Sequence, residues 1–248
     1  MIDQAIILAA GKGTRIRESE DAPPKPLHRV GGVPLIKRTL LTLAAAGVTR
    51  VVVVTGFMAD AIRATIVGDD SYATAGVRVD FAHNADFDKS NGISVLVGGA
   101  AIDGPFVLSM ADHIYTPAIA RLVGSQDLGA ADLYLATDPR IHDVLDIDDA
   151  TKVRSEHGRI VEIGKQIASY DRIDCGVFAV TGRLLDVLAE LREANGDCSL
   201  SDGVRRLAEL GRARIADIGD AFWQDVDTPA DRDHAEQAIG RYDPPVAK

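Results

Sequence analysis

Residues 4–15 read Q-A-I-I-L-A-A-G-K-G-T-R, an apolar run that passes into a turn with two glycines and two basic residues. The first six, Gln4–Ala9, have the length and the apolar character of a buried strand. Glycines let backbone N–H groups approach an oxygen-rich ligand, and Lys12 and Arg15 add positive charge. The glycine spacing matches neither the P-loop nor the dinucleotide-binding fingerprint. The stretch predicts a strand that ends in an anion-binding turn, although it also fits a plain glycine turn between a strand and a loop.

Apolar runs and helical patterns alternate after this strand. Arg50–Thr55 contains four consecutive valines and is typical of a buried strand in a parallel sheet. Further strands are predicted at 77–82, 105–109 and 131–136, and helices at 35–46, 59–67, 92–101 and 117–123. This β-α-β-α order predicts an α/β fold with a doubly wound, Rossmann-like, mostly parallel sheet and right-handed crossovers.

The pattern changes after residue 150. Segments 152–156 and 159–163 flank His157-Gly158 and predict a hairpin, which we interpret as a small β-rich insertion, a lid rather than a separate domain. Residues 242–248 are predicted to form a loose tail. The remaining elements are strands at 173–180 and 213–218, helices at 184–194 and 200–210, and a closing helix at 229–240 with Thr228 as its N-cap.

Composition limits the class of protein. The 248 residues are 46% hydrophobic and 26% charged, which is ordinary for a globular chain and excludes a wholly disordered protein. The net charge of −10 comes from 27 basic and 37 acidic residues and disfavours nucleic acid as a partner. A phosphate-bearing substrate would therefore have to be attracted by local cations or by a metal.

Cysteine usage and hydropathy indicate the compartment. Cys175 and Cys198 form no C-x-x-C pair, so we interpret both as small apolar core residues. The N-terminus lacks the basic segment of a signal peptide, and the apolar runs are too short to span a bilayer. We expect a soluble, cytoplasmic protein.

A second basic segment follows the glycine turn. In Pro23-Pro24-Lys25-Pro26-Leu27 three prolines stiffen the backbone around one lysine, so that its ammonium is held in place. A positioned ammonium suits a phosphate site. A rigid loop with an incidental lysine remains an alternative interpretation.

Two acidic motifs could hold a metal. M-A-D-H-I-Y at 110–115 follows a predicted strand, and ligands bind beyond the carboxyl ends of strands in open α/β sheets. F-W-Q-D-V-D-T-P at 222–229 contains two carboxylates at i and i+2. Asp112 with Asp227 would make a two-carboxylate site for Mg²⁺, and Asp225 is a third candidate. Capping aspartates and a charged strand end are the alternatives. The D-x-D of 225–227 would also suit a metal-dependent glycosyltransferase, although such an enzyme has no use for the glycine turn.

A polar segment, N-A-D-F-D-K-S-N-G-I-S, occupies residues 84–94. Asn91 and Val97 stand where an EF-hand needs glycine and glutamate, which excludes that calcium site. Side-chain amides and hydroxyls can contact a base edge or a ribose, although a solvated turn explains the segment nearly as well. The candidates for such contacts are Asn84, Asn91, Gly92 and Ser94.

Taken together, the L-A-A-G-K-G-T-R, P-K-P-L and W-x-D-V-D-T-P motifs resemble the signature of the nucleotidyltransferase superfamily. That resemblance implies an α/β/α sandwich in which the glycine turn wraps a nucleoside triphosphate. It implies catalytic roles for Arg15 and Lys25, a metal-linked role for Asp112, and nucleotide contacts from Leu8, Ala10, Gly11, Lys12, Gly13 and Thr14.

The second half resembles inositol-1-phosphate cytidylyltransferases more narrowly, in D-I-D-D-A-T-K-V at 146–153, E-I-G-K at 162–165 and Y-D-R-I-D-C-G-V-F at 170–178. Cys175 departs from the pattern, where threonine is expected. The resemblance implies one domain over 1–248, with a nucleotide-binding half over 1–136, an acceptor-binding half over 137–240 and a tail over 241–248. It implies acceptor contacts from Asp148, Lys152, Lys165, Asp174 and Gly176, with Lys165 also catalytic.

The expected reaction follows from this resemblance. It is the Mg²⁺-dependent conversion of CTP and 1L-myo-inositol 1-phosphate to CDP-inositol and pyrophosphate, a step of phospholipid biosynthesis. Another small acceptor, such as phosphocholine, an aminoalkyl phosphonate or a sugar 1-phosphate, is the alternative within enzymes. A non-catalytic nucleotide-binding regulator is the alternative outside them.

Overall fold

The computed structural model describes residues 1–17, 19, 22–69 and 71–242. The strands are β1 (Gln4–Ala9), β2 (Arg29–Val30), β3 (Val33–Pro34), β4 (Arg50–Thr55), β5 (Arg78–His83), β6 (Phe106–Met110), β7 (His113–Tyr115), β8 (Leu133–Asp138), β9 (Lys152–Glu156), β10 (Arg159–Gly164), β11 (Arg172–Val180), β12 (Ala213–Asp217) and β13 (Trp223–Asp225). The α-helices are α1 (Leu35–Ala45), α2 (Ala59–Val67), α3 (Ser71–Thr74), α4 (Asn91–Gly99), α5 (Pro117–Gly124), α6 (Gly182–Asn195), α7 (Leu200–Glu209) and α8 (Pro229–Ala238).

A nine-stranded sheet organises the fold, in the order β5-β4-β1-β6-β11-β8-β12-β10-β9. The first-half strands β5, β4, β1 and β6 are parallel, while β11 runs antiparallel to both β6 and β8. The predicted doubly wound α/β fold is confirmed. Its sheet is parallel through the first half of the chain and mixed overall, because β11 lies between β6 and β8 and runs antiparallel to both.

Helices cover both faces of this sheet. In β4, Val51 and Val53 pack into one core and Val52 and Val54 into the other, because successive side chains of a strand point to opposite faces. One core is completed by α1, α2 and α5, and the other by α4, α6 and α7. The four-valine run is therefore apolar throughout because both of its faces are buried.

The predicted hairpin forms, and it joins the main sheet. Its turn, His157-Gly158, has φ of 51° and 77°. β9 pairs with β10 and also with β11, and β10 pairs with β12. A closed ring is thus formed by the strands β11, β8, β12, β10 and β9. Within it, the pairing of β11 with β8 changes register between Asp174 and Phe178.

Most predicted boundaries lie within two residues of the observed ones. The sequence analysis missed two small antiparallel sheets, β2–β3 and β7–β13. Tyr242 is buried, which contradicts its assignment to a loose tail, and residues 243–248 lie outside the described residues. Among the described residues, no helix has the length and apolar character needed to cross a bilayer.

Candidate active site

A cleft of 440 Å³ opens beyond the carboxyl ends of β1 and β6, a volume in the usual range for small-molecule sites. The two halves of the chain face each other across it. Predicted residues that line it are Leu8, Gly11, Gly13, Thr14, Arg15, Lys25, Asn91, Asp112, Lys165, Asp174, Gly176, Asp225 and Asp227.

Lys25 lines the cleft and is buried. It begins a 3₁₀ turn, Lys25–Leu27, whose preceding Pro24 is extended. Its Nζ donates to Asp112 Oδ2 at 2.7 Å and also to Asp227 Oδ1. The proline-rich segment therefore holds one ammonium between the two carboxylates that the sequence analysis selected for a metal.

The small β7–β13 sheet explains why these carboxylates meet. Asp225 pairs with His113 across it, and the N–H of Val226 donates to the carbonyl of Asp112 at 2.9 Å. Just beyond, Thr228 and Asp231 form a capping box at the start of α8, which fixes the backbone of Asp227. Two segments distant in sequence are thereby joined edge to edge.

Buried charge shifts the pKa values here in opposite directions. Burial alone would raise the pKa of Asp112, but the Lys25 ammonium and His113 hold it well below its usual value. Burial disfavours the charged form of His113, yet the adjacent Asp112 carboxylate raises the pKa of the imidazole overall. Asp112 is therefore an anion at neutral pH and is available to a cation.

Arg15 links the glycine turn to the opposite half. Its Nη2 donates to Asp227 Oδ2 and its Nη1 to Asp149 Oδ2, each at 2.7 Å. Asp149 in turn accepts from Lys165 Nζ at 2.6 Å. Within the turn, Gly13 lies against the side-chain stem of Lys25, so that any side chain at position 13 would overlap it. Cations from both halves are thus connected through carboxylates.

His113 packs against an aromatic ring and against a glycine. Its Nδ1 lies 2.7 Å from Asp112 Oδ1, and its ring stacks on Trp223 with centroids 5.9 Å apart. The ring also lies against Gly176, whose φ of 71° falls within the register shift in β11. Trp223 is anchored by its Nε1–H, which donates to Asp138. This packing fixes the orientation of the Asp112 carboxylate.

Two further carboxyl groups line the cleft with raised pKa values. Burial raises the pKa of Asp174 to about 6, although the N–H of Gly176 donates to it at 2.7 Å. Burial and the nearby Asp112 raise the pKa of Asp225, while His113 opposes this. A carboxyl group with a raised pKa keeps its proton to higher pH than a free one, and its oxygens suit hydrogen bonds with hydroxyl groups.

Seven of the predicted site residues do not line the cleft. Asn84 and Ser94 are buried and hydrogen-bonded to each other, so their side chains hold the start of α4 in place. Lys12 forms an ion pair with Asp88 instead. Ala10, Gly92, Asp148 and Lys152 are the others.

Lys152 and Asp148 differ most from their predicted role in acceptor binding. The Lys152 ammonium donates to the backbone carbonyls of Asp148, Ala150 and Lys165, the last at 2.9 Å. The Lys152 side chain is buried. Its ammonium supplies hydrogen bonds to backbone carbonyls of the adjoining loops, as buried polar groups require. Asp148 is exposed and contributes its carbonyl. The structure thus places the Lys152 ammonium against the backbone of the loop that contains Asp148 and Ala150, and Lys152 does not line the cleft.

Several cleft residues were missed by the sequence analysis. Asp149 is one of several aspartates in an acidic loop, and nothing in the sequence distinguishes it from the others. Ser201 lines the cleft from the start of α7, where Ser199 and Asp202 form a capping box. That box is a sequence signal for a helix start, but it carries no information about what the helix faces.

The carboxylates at the centre of this network are suitable ligands for Mg²⁺. Asp112 and Asp227 present carboxylate oxygens to the same point, now held by the Lys25 ammonium, and hard oxygen ligands fit this ion. No group of three or more acidic, histidine or cysteine side chains that could hold a metal occurs among the described residues. The protein ligands fit a site of the kind that Mg²⁺ completes with phosphate oxygens and water.

Comparison with known proteins identifies the family. Residues 5–210 match the MobA-like NTP transferase domain. The chain belongs to this NTP transferase family. It is therefore a nucleotidyltransferase domain, and the predicted superfamily is confirmed.

Individual members of the NTP transferase family resemble the chain over nearly all of its length. A bifunctional IPC transferase and DIPP synthase from Rubrobacter xylanophilus is 37% identical over 95% of this chain and 51% of that protein. A CMP-5′-(3-aminopropyl)phosphonate synthase from Streptomyces rubellomurinus is 32% identical over 98% of this chain and 39% of that protein. The chain spans about half the length of the first curated relatives it matches.

A solved structure agrees with the fold. The inositol-1-phosphate CTP transferase from T. maritima superposes with a TM-score of 0.87 at 28% identity, covering 100% of this chain and 98% of that one. Because the match covers the whole chain, the second half of the chain is included in it.

Proposed function

We propose that the chain is a Mg²⁺-dependent cytidylyltransferase that joins CTP and an inositol 1-phosphate to give CDP-inositol and pyrophosphate. The observation that carries this proposal is the convergence of Lys25 with Asp112 and Asp227 beside the glycine turn. The similarity to an inositol-1-phosphate CTP transferase supports the choice of acceptor and nucleotide.

The chemistry needs little from the protein beyond placement and charge. The acceptor phosphate has a second pKa near ~6 and is ionised at neutral pH, so its oxygen can attack the α-phosphorus without a general base. A P–O bond to the acceptor forms as the bond to pyrophosphate breaks, and the leaving group departs as an anion. Catalysis then depends on alignment of the two phosphates and on neutralisation of their charge.

The residues of the cleft divide this work. Lys25 and Arg15 stabilise negative charge on the donor phosphates, while Lys165 binds the acceptor phosphate. Asp112 and Asp227, with Asp225 as a further candidate, would hold Mg²⁺. When bound, this ion offsets the charge shared by the donor and acceptor phosphates. The carboxyl group of Asp174 contacts acceptor hydroxyls.

The test is release of pyrophosphate by the purified chain, measured with CTP, UTP, ATP and GTP against inositol 1-phosphate, with and without Mg²⁺. We expect turnover with CTP that depends on Mg²⁺. Calorimetric binding of CTP without turnover on any acceptor would instead indicate a regulator.

A second acceptor is tested in the same assay. The relative that makes a CMP-aminopropylphosphonate favours an aminoalkyl phosphonate as the alternative. Phosphocholine and a sugar 1-phosphate complete the panel. Faster turnover on the phosphonate than on inositol 1-phosphate would reassign the acceptor and leave the cytidylyltransferase proposal in place.

A further inference from the structure

One carboxylate contacts basic residues of both halves. Asp149 lies on the loop between β8 and β9. Its Oδ2 accepts from Arg15 Nη1 at 2.7 Å, and its Oδ1 accepts from Lys165 Nζ at 2.6 Å. Arg15 belongs to the glycine turn and Lys165 follows β10, so a single carboxylate holds one cation from each side of the cleft.

Such an arrangement is the one expected around a phosphate. A phosphate also offers two oxygens to two separate cations, and it carries more negative charge than a carboxylate. Arg15 remains anchored toward the donor side, because its other nitrogen donates to Asp227. A group placed where the Asp149 carboxylate lies would therefore be within reach of the cation that faces the donor phosphates.

We infer that Asp149 occupies the acceptor phosphate subsite in the free enzyme, and that the acceptor phosphate binds between Arg15 and Lys165 by displacing this carboxylate. The inference deepens the proposed function, on which it rests, by locating the phosphate of the acceptor. Asp149 is then an internal competitor, and Arg15 contacts the acceptor phosphate in addition to the donor.

Exposure of these side chains makes the exchange feasible. The side chains of Arg15 and Lys165 are 48% and 50% exposed, whereas that of Lys25 is 10% exposed. Exposed ion pairs contribute little free energy and can be replaced at small cost. The contacts of Asp149 are thus the exchangeable part of the network, and those of Lys25 are the fixed part.

The device selects for charge on the acceptor. A phosphate or phosphonate dianion regains both cations when it displaces the carboxylate, and its larger charge favours the exchange. A neutral alcohol would separate Asp149 from its partners without replacing them. Asp149 therefore discriminates against acceptors that lack the phosphorus group.

The experiment measures binding of inorganic phosphate to the full chain by isothermal titration calorimetry at low ionic strength. Asp149→Asn keeps the side-chain size and removes the charge, and we expect it to bind phosphate about two- to fivefold more tightly, the range expected from exposed ion pairs. Asp149→Glu keeps the charge and should bind as the wild type does. Asp143→Asn removes the same charge from an exposed position of the same loop and should also match the wild type.

A double variant locates the effect. Lys165→Met in the Asp149→Asn background should remove the gain in affinity. The inference is overturned by unchanged or weaker binding in Asp149→Asn, by an equal gain in Asp143→Asn or in Asp149→Glu, or by a gain that survives Lys165→Met. Circular dichroism melting establishes that each variant is folded.

This measurement is independent of the acceptor and the nucleotide. It uses neither CTP nor an inositol phosphate. If no pyrophosphate is released but the variants bind phosphate as expected, only the proposed function is contradicted. Turnover on inositol 1-phosphate with unchanged phosphate affinity in Asp149→Asn would remove only this inference.

Discussion

Lys25 donates a hydrogen bond from Nζ to Oδ2 of Asp112 at 2.7 Å, although the two residues lie 87 positions apart in the chain. The contact joins the proline-rich segment to the loop after β6. It places a buried cation next to the carboxylate that we assign to Mg²⁺. The ammonium and the ion are thus expected to act on the same group of phosphates.

Replacement of Lys25 by methionine is expected to lower kcat about 100-fold or more, because a fixed charge aimed at the reacting phosphates contributes on that scale. Pyrophosphate release measures the effect. Lys37→Met is the control, since Lys37 pairs with Asp69 away from the cleft. A loss of less than about threefold in Lys25→Met, with the control unchanged, would contradict the catalytic role.

Asp112→Asn is expected to reduce turnover by orders of magnitude while the fold survives, because the amide cannot replace the charge that holds Mg²⁺. A titration of activity against Mg²⁺ should show a raised half-saturation concentration. Asp80→Asn provides a comparison, as that carboxylate pairs with arginines on β4 and β5 outside the cleft. Near-normal activity with unchanged Mg²⁺ dependence would remove Asp112 from the metal site.

Lys165→Met is expected to raise the KM for the acceptor about tenfold or more, since a charge-assisted hydrogen bond contributes about 1.5–3 kcal/mol. The KM for CTP should stay within about twofold of the wild type. Steady-state kinetics with each substrate varied in turn separate the two effects. A change confined to CTP would show that Lys165 belongs to the donor side.

Asp174→Asn is expected to stabilise the protein at neutral pH. The native pKa of about 6 exceeds the ordinary value of 3.8, so the native state keeps its proton between about pH 4 and 6 while the unfolded state releases it. Stability therefore falls as pH rises through this window, by at most about 3 kcal/mol for a shift of about two units. Urea unfolding at pH 4 and pH 7 should show a higher free energy of unfolding for Asp174→Asn than for the wild type at pH 7 only. An equal difference at both values would contradict the shift.

Gly176→Ala is expected to destabilise the protein by about 1–3 kcal/mol more than Gly158→Ala. Both glycines have left-handed backbone, with φ of 71° and 77°, so the backbone cost is matched. A Cβ at position 176 would overlap the ring of His113, whereas a Cβ at position 158 would have none of the described residues within 4 Å apart from its chain neighbours. Thermal unfolding measures the difference, and equal losses would show that the ring does not lie against Gly176.

The sequence predicted the main elements because they carry strong local signals. The valine run of β4 and the glycine turn after β1 are both visible without tertiary information. The strands β7 and β13 have three residues each, too few for a hydrophobic period to emerge, and their pairing depends on the rest of the fold. The direction of β11 was missed for a similar reason, since an apolar strand reads the same in either orientation.

Which of the predicted site residues line the cleft depends on the same difference between local and tertiary signals. Lys25 and Asp112 stand in short motifs that mark them individually. Lys152 was expected in the cleft because the resemblance to inositol-1-phosphate cytidylyltransferases implies an acceptor contact there, yet three backbone carbonyls accept hydrogen bonds from its ammonium. Asp149 could be distinguished from its acidic neighbours only by the positions of Arg15 and Lys165.

The closed ring of strands also bears on how the protein behaves at high concentration. One edge of β9 pairs with β10, and part of its other edge pairs with β11. Few of its backbone hydrogen-bonding groups are therefore free to pair with a strand of a second chain. At the opposite margin of the sheet, β5 carries Arg78 and Asp80, and charged side chains deter pairing there. Strand addition between copies, a common first step of aggregation, is thereby discouraged at both margins of the molecule.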